Sequence, residues 1–184
     1  MKGFTLIETM VAITLLTVAI VAPMMLTVQA LASAYYSRDE ITAYYLAQEA
    51  IEEVHQIVDG QILQIAKNSA GGDLFGSIPV NQNFTVDARQ SNPNEAISVC
   101  PQNGCPPLQT DGNLYGQNQS GWTNTNFTRT VIACYVQSNG SCASTETDEM
   151  RISVTVSWIT GSFATKSFTL SEDLYRWVQD GSGA

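Results

Sequence analysis

Two groups of residues in this chain have types and spacings that could do chemistry. The first is a single carboxylate. Glu8 is the last charged residue before a stretch from Thr9 to Ser37 that carries no charged side chain. An acidic group in a membrane helix costs roughly 2.5–3.5 kcal/mol at the helix centre and less toward the ends. Such groups usually have a partner or a function. The fitting partner for Glu8 is an amine at the same depth, and a cut just before Phe4 would expose one. The second group is Cys100, Cys105, Cys134 and Cys142. An even count suggests disulfides, with three connectivities open. Short loops are favoured, Cys100–Cys105 across Pro101–Gly104 and Cys134–Cys142 across Gly140. The C-x₄-C and C-x₇-C spacings lack the paired short steps of a zinc site, so no metal is expected.

Catalytic constellations are not apparent. The only histidine is His55, so any Ser-His-Asp or Cys-His centre would depend on it. Glu52 and Asp59 could orient it, but it reads better as a surface histidine. Glu49, Glu52 and Glu53 could mimic paired acids, yet their spacing suits a solvated helix face. There is no phosphate-binding or dinucleotide glycine motif, and Asp111-Gly112-Asn113 is too short to signal calcium. The sequence therefore predicts no enzyme, no catalytic residue and no cofactor.

The balance of charge points the same way. Eight Lys and Arg stand against 17 Asp and Glu, giving a formal net charge of −9. A phosphate-binding surface concentrates Lys and Arg, so nucleic acid is not expected as a direct partner. The one place a basic patch could form is around Arg129 and Arg151. At 184 residues, one domain or one domain with an extension is expected. The apolar fraction of 44% and mean hydropathy of −0.02 argue against both disorder and a polytopic membrane protein.

These averages conceal an asymmetry. Met10–Ala32 is almost entirely Val, Ile, Leu, Met, Ala and Thr, and about 20 such residues span a bilayer as a helix. Three readings compete. A secretory signal would use the small-residue sites at Ala30–Ala32 or Ala32–Ala34, but the tract is longer than a signal core and Glu8 intrudes. A plain single-pass anchor leaves Glu8 unexplained. The third reading makes Glu8 functional. Pro23 lies inside the tract and cannot donate to the carbonyl of Ala19, so a kink or local loosening is expected there.

Beyond Ser33 the pattern becomes amphipathic. Ile41, Tyr44, Ala47, Ile51, Val54 and Val58 recur at three- and four-residue steps, while Arg38, Asp39, Glu49, Glu52 and Glu53 mostly fall elsewhere. Nothing breaks the helix before Gly60, and Gly71-Gly72 should end it. A helix continuous from Thr5 would run about 80 Å. Its first half needs lipid or other copies of itself, and its second half needs a sheet. Tyr35, Tyr36, Tyr44 and Tyr45 suit either an interfacial belt or core packing.

Residues 71–126 are rich in Asn, Gln, Gly, Ser and Pro, with only short strand candidates such as Phe84–Ala88. N-glycosylation sequons at Asn83, Asn118, Asn126 and Asn139 mark surface only. Three strands follow. They are Phe127–Val136, then Ile152–Trp158 in strict alternation, then Thr165–Leu170 returning through a turn near Gly161-Ser162. Residues 181–184 read as a frayed tail.

Gly3-Phe4-Thr5-Leu6-Ile7-Glu8 followed by an apolar run resembles the cleavage and methylation signal of type IV prepilins and type II secretion pseudopilins. The resemblance implies that a prepilin peptidase cuts between Gly3 and Phe4, that Phe4 becomes the methylated terminus, and that Glu8 is the assembly carboxylate. It also implies that Pro23 sits where the helix can loosen in a filament. Tyr44–Val54 and the strand pair before Leu174, Tyr175 and Trp177 are similar to minor pilins. The leader, Met1-Lys2-Gly3, is short for the family. Cys142 lies far from the end, so the binding loop that pilin disulfides often enclose does not carry over.

The implied fold is α+β and pilin-like, a long helix whose hydrophobic half protrudes, packed on a small antiparallel sheet. The implied divisions are a leader (1–3), a transmembrane assembly helix (4–32), an amphipathic half (33–66), a variable polar connection (67–126), the sheet (127–180) and the tail. The expected function is a minor-pilin subunit of a type IV pilus-like fimbrium. A type II secretion minor pseudopilin and a tip adhesin are the alternatives, and a secreted enzyme is a remote third. Expected partners are other pilin subunits, prepilin peptidase, the inner membrane and the assembly machinery. The chain would wait in the inner membrane with a cytoplasmic N-terminus, then join an extracellular or periplasmic filament.

Overall fold

In the strand that carries most of the sheet, alternate positions from Phe127 to Tyr135 are buried, all of them apolar except Arg129. This is β5 (Thr123–Val136), where Phe127, Val131, Ala133 and Tyr135 are buried. The computed structural model describes residues 3, 5–68, 73–90, 93–117, 119–160 and 164–177. It comprises helix α1 (Leu6–Asn68), β1 (Asn83–Val86), the short helix α2 (Pro93–Ala96), β2 (Ile97–Val99), β3 (Pro107–Thr110), β4 (Tyr115–Gly116), β5, β6 (Cys142–Ala143), β7 (Glu149–Thr160) and β8 (Ala164–Tyr175). The chain divides into two units, Met1–Asp39 and Glu40–Ala184.

In Met1–Asp39, α1 is apolar and exposed from Leu6 to Leu31. In Glu40–Ala184, the rest of α1 packs on an antiparallel sheet, so the fold is α+β with one long helix on a sheet. One edge of β5 receives β3, β1 and β6 in turn, and the other receives β7, which pairs with β8. β7 follows its alternation closely. Met150, Ile152, Val154, Val156 and Trp158 are buried, while Arg151, Ser153, Thr155 and Ser157 face away. Burying each such apolar side chain contributes about 1.5–3 kcal/mol.

The helix face that packs on the sheet includes Ala47, Ile51, Val54 and Val58 of the expected stripe but not its first two members. Ala43, Leu46, Ala47, Ala50, Ile51, Val54, Ile57 and Val58 are buried, whereas Ile41 and Tyr44 are largely exposed. Small alanines allow the helix to lie close to the sheet, which shifts the contact stripe toward them. Glu53, expected in solvent, lies on this buried face at 5% exposure.

The polar stretch expected as a connection contributes four short strands and a helical turn. Phe84, Val86 and Leu108 are buried there, and β1 and β3 bond directly to β5. These strands have two to four residues and one or two apolar anchors, too few to establish a period. At Gly116 the backbone passes against the Arg89 guanidinium, which would collide with any side chain. The expected helix end at Gly71-Gly72, the turn at Gly161-Ser162, the tail and Asn118 lie outside the described residues.

Candidate functional site

The candidate site is the start of α1. Thr5 stands before the first helical residue, and the Glu8 amide donates to the Thr5 carbonyl (3.1 Å) and to its hydroxyl (3.4 Å). Thr5-Leu6-Ile7-Glu8 is thus a Thr-x-x-Glu capping sequence, with the hydroxyl satisfying an otherwise orphan amide. The acid at the third helical position also complements the positive end of the helix dipole. Glu8 is exposed, as are the apolar residues that follow. Gly3 is described and exposed, while Phe4 lies outside the described residues.

The polar groups of this segment are turned inward on their own backbone. The hydroxyls of Thr9, Thr14 and Thr17 donate to the carbonyls three residues back, at 2.8–2.9 Å. Thr27 donates to the Pro23 carbonyl at 2.9 Å. Such back-bonding satisfies groups that would cost several kcal/mol unpaired in hydrocarbon. α1 continues through Pro23. One window of this helix is long and apolar enough to cross a membrane, and none of it is buried.

The four cysteines pair as Cys100–Cys105 and Cys134–Cys142, the two short loops favoured by their spacing. The second bond fastens β5 to β6. Asp111 is committed to its own turn: its carboxylate accepts from the amides of Asn113 and Leu114 at 2.8 Å. These bonds hold its pKa below the usual carboxylate value. Gly112 supplies the left-handed backbone that the turn requires (φ 101°). Among the described residues no group of three or more His, Cys, Asp or Glu is placed to hold a metal ion.

His55 meets neither a nucleophile nor its expected neighbours. Its Nε2 lies 3.0 Å from Glu172 of β8, and both side chains are partly exposed. The Arg129–Arg151 region is not a basic patch. Arg151 makes two bonds to Asp173 (2.7 and 2.9 Å), a pairing that lowers the Asp173 pKa and raises that of Arg151. Arg129 is 1% exposed and donates to the Leu46 carbonyl (2.9 Å), the Val86 carbonyl (2.6 Å) and Glu49 (3.0 Å). Arg89 grips Asp87 through two bonds and stacks on Trp122 at 4.4 Å. Arg176 joins Glu146 (2.6 Å) and Asp73 (3.4 Å). All four arginines are thus held in ion pairs of the globular unit.

Sequence reasoning missed the role of Arg129. It occupies a core-facing position of β5 and ties α1, β1 and β5 together. The signal that could have found it is the alternation from Phe127 to Val131, which places residue 129 on the inward side.

A family model of the prokaryotic N-terminal methylation motif matches residues 1–22. No curated protein and no solved structure matches the chain. The matched motif opens an exposed apolar helix in a chain whose fold is one long helix on an antiparallel sheet, an arrangement similar to that of type IV prepilins and pseudopilins.

Proposed function

We propose that the protein is a minor-pilin subunit of a type IV pilus-like filament, with a mechanical and associative role. Prepilin peptidase cuts between Gly3 and Phe4, and Phe4 becomes the methylated terminus. The mature helix waits in the inner membrane with its N-terminus cytoplasmic, then leaves lipid to join like helices. Exchanging lipid for neighbouring helices changes apolar burial little, so close packing and charge pairing must set the register. Glu8 supplies that pairing by neutralising the amino terminus of an adjacent subunit. Head-to-tail contacts that do not close give an open filament.

The observation that supports this most is the methylation motif over residues 1–22, opening an exposed helix whose one acidic residue through Ser37 is Glu8. The arginines of the globular unit are engaged with its own acids, which gives no support to capture of nucleic acid. Deleting residues 71–122 would remove the buried Phe84, Val86 and Leu108 and disrupt the sheet, so that deletion does not separate adhesion from folding.

The test is Glu8→Ala with intact mass of the mature chain. The variant should insert into the membrane at normal levels and start at a methylated Phe4, yet enter filaments at least tenfold less. Wild-type incorporation of this variant would remove Glu8 from assembly. A mature chain that keeps Met1, or begins beyond Leu31, would end the pilin reading.

A further inference from the structure

Glu53 is a buried acid that the fold leaves without a bond. It is 5% exposed, and among the described residues no hydrogen bond or ion pair reaches its carboxylate. Its acidic neighbours are provided for: Asp87 is gripped by Arg89, and Glu49 is bonded by Arg129. Arg129 gives its remaining bonds to the Leu46 and Val86 carbonyls. Two arginines thus serve two acids, and neither bonds Glu53, which feels the Asp87 and Glu49 charges as well. A buried polar group without a partner costs stability and calls for a cause.

Glu53 lines an open cleft of about 350 Å³, with Gln56, Ile57, Leu63, Gln64 and Gln90. Its oxygens are not among the unpaired atoms that are wholly enclosed, so the carboxylate keeps a path to the surface. Asp59 borders the same cleft. The side chains of Gln56, Asp59, Gln64 and Gln90 also have no hydrogen bond or ion pair among the described residues. Five polar side chains therefore converge on one opening with their bonding capacity unused.

We propose that this cleft binds a primary alkylammonium group, with Glu53 as its counter-ion. An ammonium has three N–H donors and no acceptor. Glu53 supplies the charge, and the amide oxygens of Gln56, Gln64 and Gln90 supply acceptors that add none. Ile57 and the 59% exposed Leu63 offer apolar surface to a methylene stem. Other ligand classes fit less well. Calcium takes about six to eight oxygen ligands, and among the described residues no group of three or more His, Cys, Asp or Glu is placed to hold a metal ion. An anion would meet Glu53 and Asp59, and a neutral ligand would leave the Glu53 charge unpaired. The ammonium has two sources, a lysine side chain of another protein or a small free amine. The site lies apart from Glu8, so Glu8→Ala should leave it intact.

The experiment is thermal unfolding of the detergent-solubilised full chain at neutral pH, with n-butylammonium chloride as the probe. At about ten times a millimolar Kd, the probe should raise Tm by about 3 °C over equal sodium chloride. Tetramethylammonium, which has the charge without the N–H donors, should not. Glu53→Gln should fold with a higher starting Tm and lose the rise, so the loss is not one of folding. Glu52→Gln, at an exposed neighbour outside the cleft, should keep it. Carbodiimide treatment of membranes bearing the wild-type chain then separates the sources. A lysine source leaves Glu53 joined by an amide to another polypeptide, and a free source leaves it carrying the mass of the small amine. The proposal is overturned by no rise with n-butylammonium, by an equal rise with tetramethylammonium or in Glu53→Gln, by a larger rise with calcium, or by a Glu53 that gains no amine.

Discussion

Replacing Arg129 with methionine should cost the protein about 1.5–3 kcal/mol at neutral pH, the worth of hydrogen bonding by a charged group, because its Glu49 partner is a third exposed and can be hydrated when left alone. The structure shows where the loss arises. Arg129 is 1% exposed and donates three bonds at 2.6–3.0 Å, two to carbonyls on different elements and one to Glu49. A hydrogen bond involving a charged group contributes about 1.5–3 kcal/mol. Set against that are the arginine's own desolvation and its Nε, which has no hydrogen-bond partner among the described residues. Methionine fills much of the volume, so the net stays below the sum of the bonds.

The same substitution predicts a pH signature. The Glu53 carboxyl is pushed above its ordinary value, first by burial, then by the Asp87 and Glu49 charges, and Arg129 pulls it back. Without Arg129 it rises further. A carboxyl whose folded pKa is raised favours folding most below its unfolded pKa, and that contribution is lost as pH rises through the folded value. The deficit of Arg129→Met should therefore shrink as the pH falls from neutrality toward about 4.5. Urea unfolding of the detergent-solubilised chain, followed by fluorescence of the buried Trp158, measures both effects. A loss under about 1 kcal/mol at neutral pH, or a deficit equal at pH 7 and pH 5, would refute the reasoning.

Two further outcomes rest on the same unit. Glu53→Gln keeps the shape but removes a charge that burial and two neighbouring acids disfavour, so it should raise Tm at neutral pH. The difference from wild type should vanish below about pH 4.5 in a thermal melt series. Replacing Cys134 and Cys142 together by serine opens the tie between β5 and β6, a span of 8 residues. This should lower stability by roughly 2–3 kcal/mol, read by thermal unfolding alongside the wild type.

The parts of the fold legible in the sequence were those where one physical cause acted alone. The uncharged run after Glu8 needed only composition, and β7 needed only alternation, because a single strand lies on each side of it. The helix face was less legible. Ala43 and Ala50 carry little pattern, yet close approach to the sheet makes them part of the contact, and Ile41 and Tyr44 are left outside. Of β1 to β4 only β1 was legible, as the candidate at Phe84–Ala88, because two to four polar-rich residues have no period. What makes them strands is pairing distant in sequence, β1 and β3 on the edge of β5, then β2 on β1 and β4 on β3. Arg129 failed for the same reason. Nothing near it in sequence announces that Glu49, 80 residues away, and two backbone carbonyls will be there to receive it.

The two units answer to different solvents, and that difference narrows where assembly can be controlled. In Glu40–Ala184 the fold takes up the arginines, committed to acids, and the cysteines, closed in pairs. In Met1–Asp39 the threonine hydroxyls are spent on the helix's own carbonyls. From Thr5 to Ser37 that leaves mainly apolar surface, which packs on lipid and on like helices with similar ease, and a single charged group, the Glu8 carboxylate. Apolar surface can hold a helix in a bundle but discriminates poorly between one axial position and the next. A charge that must find its counterpart in a low-dielectric interior discriminates strongly, because the mismatched state leaves it unpaired. If filament register is set within this segment, Glu8 is where the sequence has put the means to set it. Moving that carboxylate one helical turn along, as Glu8→Leu with Ala12→Glu, should then fail to restore assembly even though composition and net charge are almost unchanged.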